Sequence, residues 1–268
     1  MNCFSQKNRI LRKELIRTDF KLRYQGSFIG YLWSILKPLM MFTIMYLVFV
    51  RFLRFDDGTP HYAVGLLLAM IFWGFFTEAT NMGMLSIVSR GDLLRKLNFP
   101  KQTIVISSVL GAAINFLINL VVVFVFALIN HVPIGFNTLV IIPLFIEVLL
   151  MAMGVAFILS ALFVKYRDIG RVWEVVLQAG MYASPIIYSI TYLLQRNQAF
   201  VATIMMLNPI AQILQDMRHF IIAPVNPRGW DIINNKLIAF VPYAIPVVIF
   251  IIGFLVFNRN AKRFAEIL

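Results

Sequence analysis

Charge along this chain is gathered into short clusters, and between them lie charge-free runs over 38–50, 58–77, 79–89, 102–146, 148–164, 175–195, 197–215 and 237–258. A Lys, Arg or Asp at the centre of a bilayer costs about 2.5–3.5 kcal/mol on insertion scales, so long charge-free runs mark segments able to enter lipid. The run 102–146 is too long for one helix, and His131-Val132-Pro133-Ile134-Gly135 supplies a break. The pattern predicts helices over 31–52, 62–84, 103–130, 138–164, 173–191 and 237–258. Segment 197–215 is interrupted by Asn208-Pro209, where proline removes a donor and pushes its predecessor out of the α region. Two short helices dipping into the outer leaflet are expected there rather than a seventh span, since broken backbone is tolerated where protein or a cavity covers it.

Ahead of the first span, Phe4, Leu11, Leu15 and Leu22 form a helical apolar stripe with basic residues between them. Such a helix can anchor on the headgroups or dock a partner, and the stripe is compatible with both. The expected architecture is an all-α integral membrane protein with one domain over 1–268. It comprises an N-terminal amphipathic interface helix within 1–30, spans one to five within 31–191, and a broken re-entrant helical pair in an outer gate region 192–236. Span six over 237–258 and a tail 259–268 complete it.

Composition agrees with that architecture. Of 268 residues, 60% are apolar and 13% charged, and mean hydropathy is +0.83. Soluble domains average about 45–50% apolar and about 25% charged, which excludes disorder and a soluble enzyme. The net charge of +12 would suggest nucleic acid in a soluble protein. Here the placement of charge matters more, and no nucleic-acid partner is expected. Seventeen Lys and Arg fall in the N-terminal stretch, at Arg90 to Lys101, at Lys165 to Arg171 and after Asn258, against six in the opposite segments. That bias predicts an even number of spans with both termini cytoplasmic in a plasma membrane. The first thirty residues lack the apolar core of a cleavable signal.

Catalytic signatures are sparse. There is no G-x-x-x-x-G-K-[ST] and no H-E-x-x-H. His61, His131 and His219 fall in outer loops, and one cysteine, Cys3, makes neither a disulfide nor a metal cluster. Two intramembrane acids remain, Glu78 and Glu147. At that depth a carboxyl faces a partner or a wet cavity, which opens a proton-coupled carrier as an alternative. Isolated acids of this kind also serve as neutral, hydrogen-bonded packing groups.

Between spans two and three, Ser86 to Pro100 mixes charge with Leu93, Leu94, Leu97 and Phe99 at helical spacing. A short amphipathic helix is expected there, suited to a protein partner or to the membrane surface.

The segment Asp19-Phe20-Lys21-Leu22-Arg23-Tyr24-Gln25-Gly26-Ser27-Phe28-Ile29-Gly30-Tyr31-Leu32-Trp33-Ser34-Ile35-Leu36-Lys37-Pro38 resembles the entry into the first span of the ABC-2 type permeases that export polysaccharide, O-antigen or teichoic acid. Ile29 stands where a leucine is more usual. Leu93-Leu94-Arg95-Lys96-Leu97-Asn98-Phe99-Pro100, Tyr166-Arg167-Asp168-Ile169, Ser184-Pro185-Ile186-Ile187-Tyr188 and Leu207-Asn208-Pro209 resemble that family in order and spacing, so the likeness covers nearly the whole chain.

The resemblance implies a half-transporter. Two copies would assemble around one path with two copies of a separate ATP-binding subunit, which would carry the ATP and Mg; no cofactor is expected on this chain. Coupling to that subunit would fall to Arg90, Gly91, Asp92, Leu93, Leu94, Arg95 and Lys96, and to Lys165, Tyr166, Arg167 and Asp168. The substrate path or gate would use Tyr31, Trp33, Phe72, Trp73, Tyr182, Ser184, Pro185, Tyr188, Asn208 and Pro209. Aromatic rings suit sugar faces, although with 25 phenylalanines any one ring also has packing or lipid contact as its ordinary role. The expected substrate is a lipid-linked polysaccharide or related polymer. A drug or lipid permease of the same family is the alternative, and a membrane-embedded glycan-modifying enzyme would need clustered acids or histidines that the sequence does not show.

Overall fold

The computed structural model describes residues 13–16, 18, 30–53, 59–96, 99–261 and 264. Most of the N-terminal interface helix and part of the tail lie outside the described residues; 13–16 and 18 are helical. Described elements are all helical: α1 Trp33–Met45, α2 Tyr62–Ser86, α3 Gly91–Lys96, α4 Gln102–Ile129, α5 Ile141–Lys165, α6 Ile169–Ala183, α7 Ile190–Gln195, α8 Ala199–Met206, α9 Pro209–Met217, α10 Gly229–Ile232 and α11 Lys236–Ala261. Helix α1 continues as a wider π-type coil through Phe52.

Among the described residues, five helices are long and apolar enough to cross a membrane: Trp33–Phe52, Tyr62–Ser86, Gln102–Ile129, Phe136–Lys165 and Lys236–Ala261. Each lies within a few residues of its expected position. The break in run 102–146 comes where His131 takes a left-handed φ of 56°.

The segment expected as a fifth span over 173–191 differs. Helix α6 stops after 15 residues at Ala183, about 22 Å of rise, shorter than a hydrocarbon core. The cause is local: Pro185 forces Ser184 into an extended conformation, φ −110° and ψ 145°. An irregular stretch follows to Ser189. Segment 197–215 divides between two short helices, α8 and α9, with Asn208 Oδ1 capping α9 by accepting from Ile210 N at 3.0 Å and Pro209 at the first helical position.

Helix α2 sits at the centre, buried along most of its length with Gly74 and Leu85 exposed, antiparallel to α4 and parallel to α5. Phe75 and Phe116 pack with Phe145, and the rings of Phe116 and Phe145 stack at 4.7 Å. Helices α5 and α11 run parallel and touch backbone to backbone: a Cβ on Gly253 would stand 2.2 Å from the Gly154 carbonyl oxygen. Only glycine permits that approach, the small-residue device by which helices pack in lipid. Helix α6 runs antiparallel to α2, with Trp173 Nε1 donating to Thr80 Oγ1 at 3.2 Å and Gly180 lying against Trp73. The chain therefore alternates direction through α1, α2, α4, α5, α6 and α11.

Candidate functional site

A cavity of about 670 Å³ opens between α1, α2, α4 and α6. Trp33, Ser34 and Lys37 line it from α1, Trp73, Thr77, Glu78 and Asn81 from α2, Asn115 and Asn119 from α4, and Met181 from α6. Asn115 and Asn119 are one helical turn apart, which places both amides on one face in the apolar middle of the helix. Asn115 Nδ2 donates to Glu78 Oε2 at 2.9 Å, and Asn119 Nδ2 donates to the Asn115 carbonyl at 2.9 Å. Asn115 Oδ1 and Thr77 Oγ1 are buried without a hydrogen-bond partner. The cavity thus offers two indoles, an ammonium and a carboxyl inside apolar walls, the mixed lining of a small-molecule or glycan path.

A second polar assembly closes the irregular stretch after α6. Asn208 Nδ2 donates to Ser184 Oγ at 3.0 Å, joining the Ser184-Pro185 and Asn208-Pro209 motifs. Ser184, Pro185 and Pro209 are buried. Arg218, 4% exposed, donates to the Ile186 and Tyr188 carbonyls at 2.9 and 3.2 Å. The Tyr62 hydroxyl donates to the Ile187 carbonyl between them. Three consecutive carbonyls of non-helical backbone are thereby satisfied by side chains, as an apolar surrounding demands. Beyond this knot, Arg228 Nε lies 3.1 Å from Asp231 Oδ2, and that guanidinium holds the Asp231 carboxyl below its ordinary range.

At the other end of the bundle the basic residues gather. Arg90 Nη1 donates to Ser107 Oγ at 3.2 Å. Lys101 Nζ donates to the Ala261 carbonyl and Gln102 Nε2 to Asn258 Oδ1, tying the start of α4 to the end of α11. Within the expected short helix, now α3, Asp92 is exposed, Gly91 and Leu93 are half-buried, and Leu94 is buried. Leu97 and Asn98 and the side chains of Arg95 and Lys96 lie outside the described residues. Lys165, Tyr166, Arg167 and Asp168 form an exposed turn, with Lys165 Nζ 5.0 Å from the Tyr166 ring centroid and the Arg167 guanidinium 5.2 Å from that of Phe163.

The expected path residues separate into groups. Trp33, Trp73 and Glu78 meet in the cavity. Phe72 does not: it is turned into the core, edge-on to Phe116 at 4.8 Å. Tyr188 belongs to the outer knot, where its hydroxyl donates to the carbonyl of exposed Tyr182 at 2.8 Å, and the Tyr31 side chain lies outside the described residues. Glu147 faces the Gln212 amide and lies within electrostatic reach of Asp216, apart from the cavity. Sequence reasoning missed Lys37, Asn115, Asn119, Arg218 and Asp216. The i, i+4 spacing of the two asparagines was a readable signal; the roles of Arg218 and Asp216 depend on long-range packing.

Residues 12–222 match the ABC-2 type transporter family. The chain belongs to that family. It is accordingly a multi-pass membrane protein and the membrane component of a transporter, of the kind that generally pairs with an ABC ATP-binding subunit. It is similar to two proteins of Klebsiella pneumoniae named O-antigen export system permease protein RfbA, each 27% identical over 93% of this chain and 92% of the relative. A protein of the same name from Myxococcus xanthus is 25% identical over 75% of each chain.

Proposed function

We propose that the chain is the permease subunit of an ATP-driven exporter that moves a lipid-linked cell-envelope glycan outward across the plasma membrane. The observation that carries this reading is likeness to O-antigen export permeases along nearly the full length of both partners. The cavity supports it, since two indoles beside an ammonium and a carboxyl suit a polyhydroxylated chain.

In this reading α6 and its irregular continuation make the fifth crossing. The alternation of helix directions then returns the C-terminus to the side where the chain enters, the cytoplasmic side by the positive-charge bias. The pair α8 and α9 dips into the outer leaflet as a re-entrant gate closed by the Ser184–Asn208 knot. A second copy completes the path where the cavity opens beside α1 and α6. Arg90 to Lys96 and the Lys165 to Asp168 turn receive the motion of two copies of a separate ATP-binding subunit, which carries ATP and Mg.

The test is purification of the tagged chain from native membranes in mild detergent, with surface glycan measured after its deletion. An ATP-binding subunit recovered in equal amount, together with loss of the surface polymer, is the expected result. Recovery of the chain alone with transport intact would overturn the reading in favour of a self-sufficient carrier using Glu78 and Glu147. Co-purification with unchanged surface glycan would point instead to a drug or lipid substrate.

A further inference from the structure

At the end of the bundle opposite the basic cluster, four helices meet around two carboxyls that the transport reading leaves unused. Asp216 on α9 is 3% exposed, and its Oδ2 accepts from Gln212 Nε2 at 2.8 Å and from the Tyr243 hydroxyl of α11 at 2.6 Å. The Tyr243 oxygen in turn accepts from the Trp230 indole of α10 at 3.0 Å. Glu147 on α5 faces the same Gln212 amide and lies within electrostatic reach of Asp216. Asp216 Oδ1, Glu147 Oε1 and Gln212 Oε1 are all buried without a hydrogen-bond partner.

Two neighbouring carboxylates so enclosed would repel each other, and each would pay several kcal/mol for leaving water. One proton removes both problems, because it turns a carboxyl oxygen from an acceptor into a donor directed at another acceptor. We propose that Glu147 and Asp216 form a single proton-binding site, whose shared proton latches α9 to α5 and whose loss frees the outer helices.

The other charged groups around the pair do not replace that proton. Arg228 and Asp231 of the α10 region pair with each other at 3.1 Å. His219, on the turn after α9, has Nδ1 2.7 Å from the Asn226 carbonyl oxygen, and Arg218 engages the Ile186 and Tyr188 carbonyls. From α11 the facing group is Tyr243. Arg228 and His219 act on Asp216 only as more distant favourable charges, and burial outweighs them, pushing its carboxyl upward. The closed arrangement binds a proton that the open one releases. Its stability is therefore full at low pH and falls as pH rises, by up to about tenfold per pH unit.

The test uses the full-length chain in lipid nanodiscs with Cys3→Ser and a reporter, Ala211→Cys, at a fully buried position of α9. Its maleimide reaction rate is measured from pH 6 to pH 9 and divided by the rate of the same reporter in Glu147→Gln/Asp216→Asn, whose pair does not titrate, so that thiol chemistry cancels. The expected ratio rises at least about tenfold across that range. Where the double variant does not insert, a reporter at an exposed position of α8, Phe200→Cys, supplies the thiol reference. A flat ratio overturns the proposal. So does a rate at pH 7 that drops when Na⁺, K⁺ or Mg²⁺ replaces choline, because a metal cation would then occupy the oxygens.

Discussion

Replacing Arg218 by methionine keeps an apolar side chain of comparable reach but withdraws both donors from the Ile186 and Tyr188 carbonyls. Hydrogen bonds from charged donors contribute about 1.5–3 kcal/mol each, and the carbonyls remain buried acceptors after the change. Two such losses give about 3–6 kcal/mol. The lower end is the better expectation, because methionine escapes the desolvation cost that a buried guanidinium carries. At 1.4 kcal/mol per factor of ten, about 3 kcal/mol opens the segment roughly a hundredfold more often. Hydrogen–deuterium exchange of peptides spanning 184–189 and 209–222 in nanodiscs reads this directly. Arg218→Lys, able to serve one carbonyl, should fall near tenfold. Protection within threefold of wild type in the methionine variant, or a lysine variant as exposed as the methionine one, would refute the carbonyl-clamp argument.

Other expectations follow from single contacts. Gly253→Val should destabilise the bundle by about 3 kcal/mol or more, since the new Cβ meets backbone rather than a movable side chain; loss of the monodisperse peak in detergent checks it. Asp231→Asn should cost only about 0.5 kcal/mol, as the pair with Arg228 is largely exposed. Its depressed carboxyl makes that contribution present at neutral pH and lost as pH falls through the lowered value, visible as a slightly lower melting midpoint at pH 7 and no difference at strongly acid pH. Trp73→Ala should cut export several-fold while assembly and ATP hydrolysis persist, as a wall residue of the cavity should; export at the wild-type rate would remove it from the path.

Hydropathy was sufficient for the long spans because insertion into lipid is decided by length and charge, and α2 and α11 lie within three residues of their expected ends. It failed at the fifth segment because a charge-free run reports compatibility with lipid and not helical continuity; Ser184-Pro185 carried the missing local information. The break at Asn208-Pro209 was legible for the complementary reason, a capping side chain followed by a proline that starts a helix well. Counting charges also hid the amides of Asn115 and Asn119, which are neutral yet determine the polarity of the cavity wall. The meeting of Glu147 with Asp216 has no local signature at all, because it depends on α5, α9 and α11 converging in three dimensions.

The backbone contact between Gly154 and Gly253 bears on how a push travels. Where the two glycines meet there is no side-chain cushion, and just beyond them Phe157 of α5 packs against Phe250, Phe254 and Phe257 of α11, so the two helices are held together over about two turns. One end of that pair is gripped by Gln102 and Lys101 at Asn258 and Ala261. About 22 Å away, by helical rise, it carries Tyr243 beneath the outer helices. Pro246 interrupts the hydrogen-bond ladder of α11 between those two points, so a displacement delivered at the basic end would reach Tyr243 through the glycine contact with α5 and not along α11 alone.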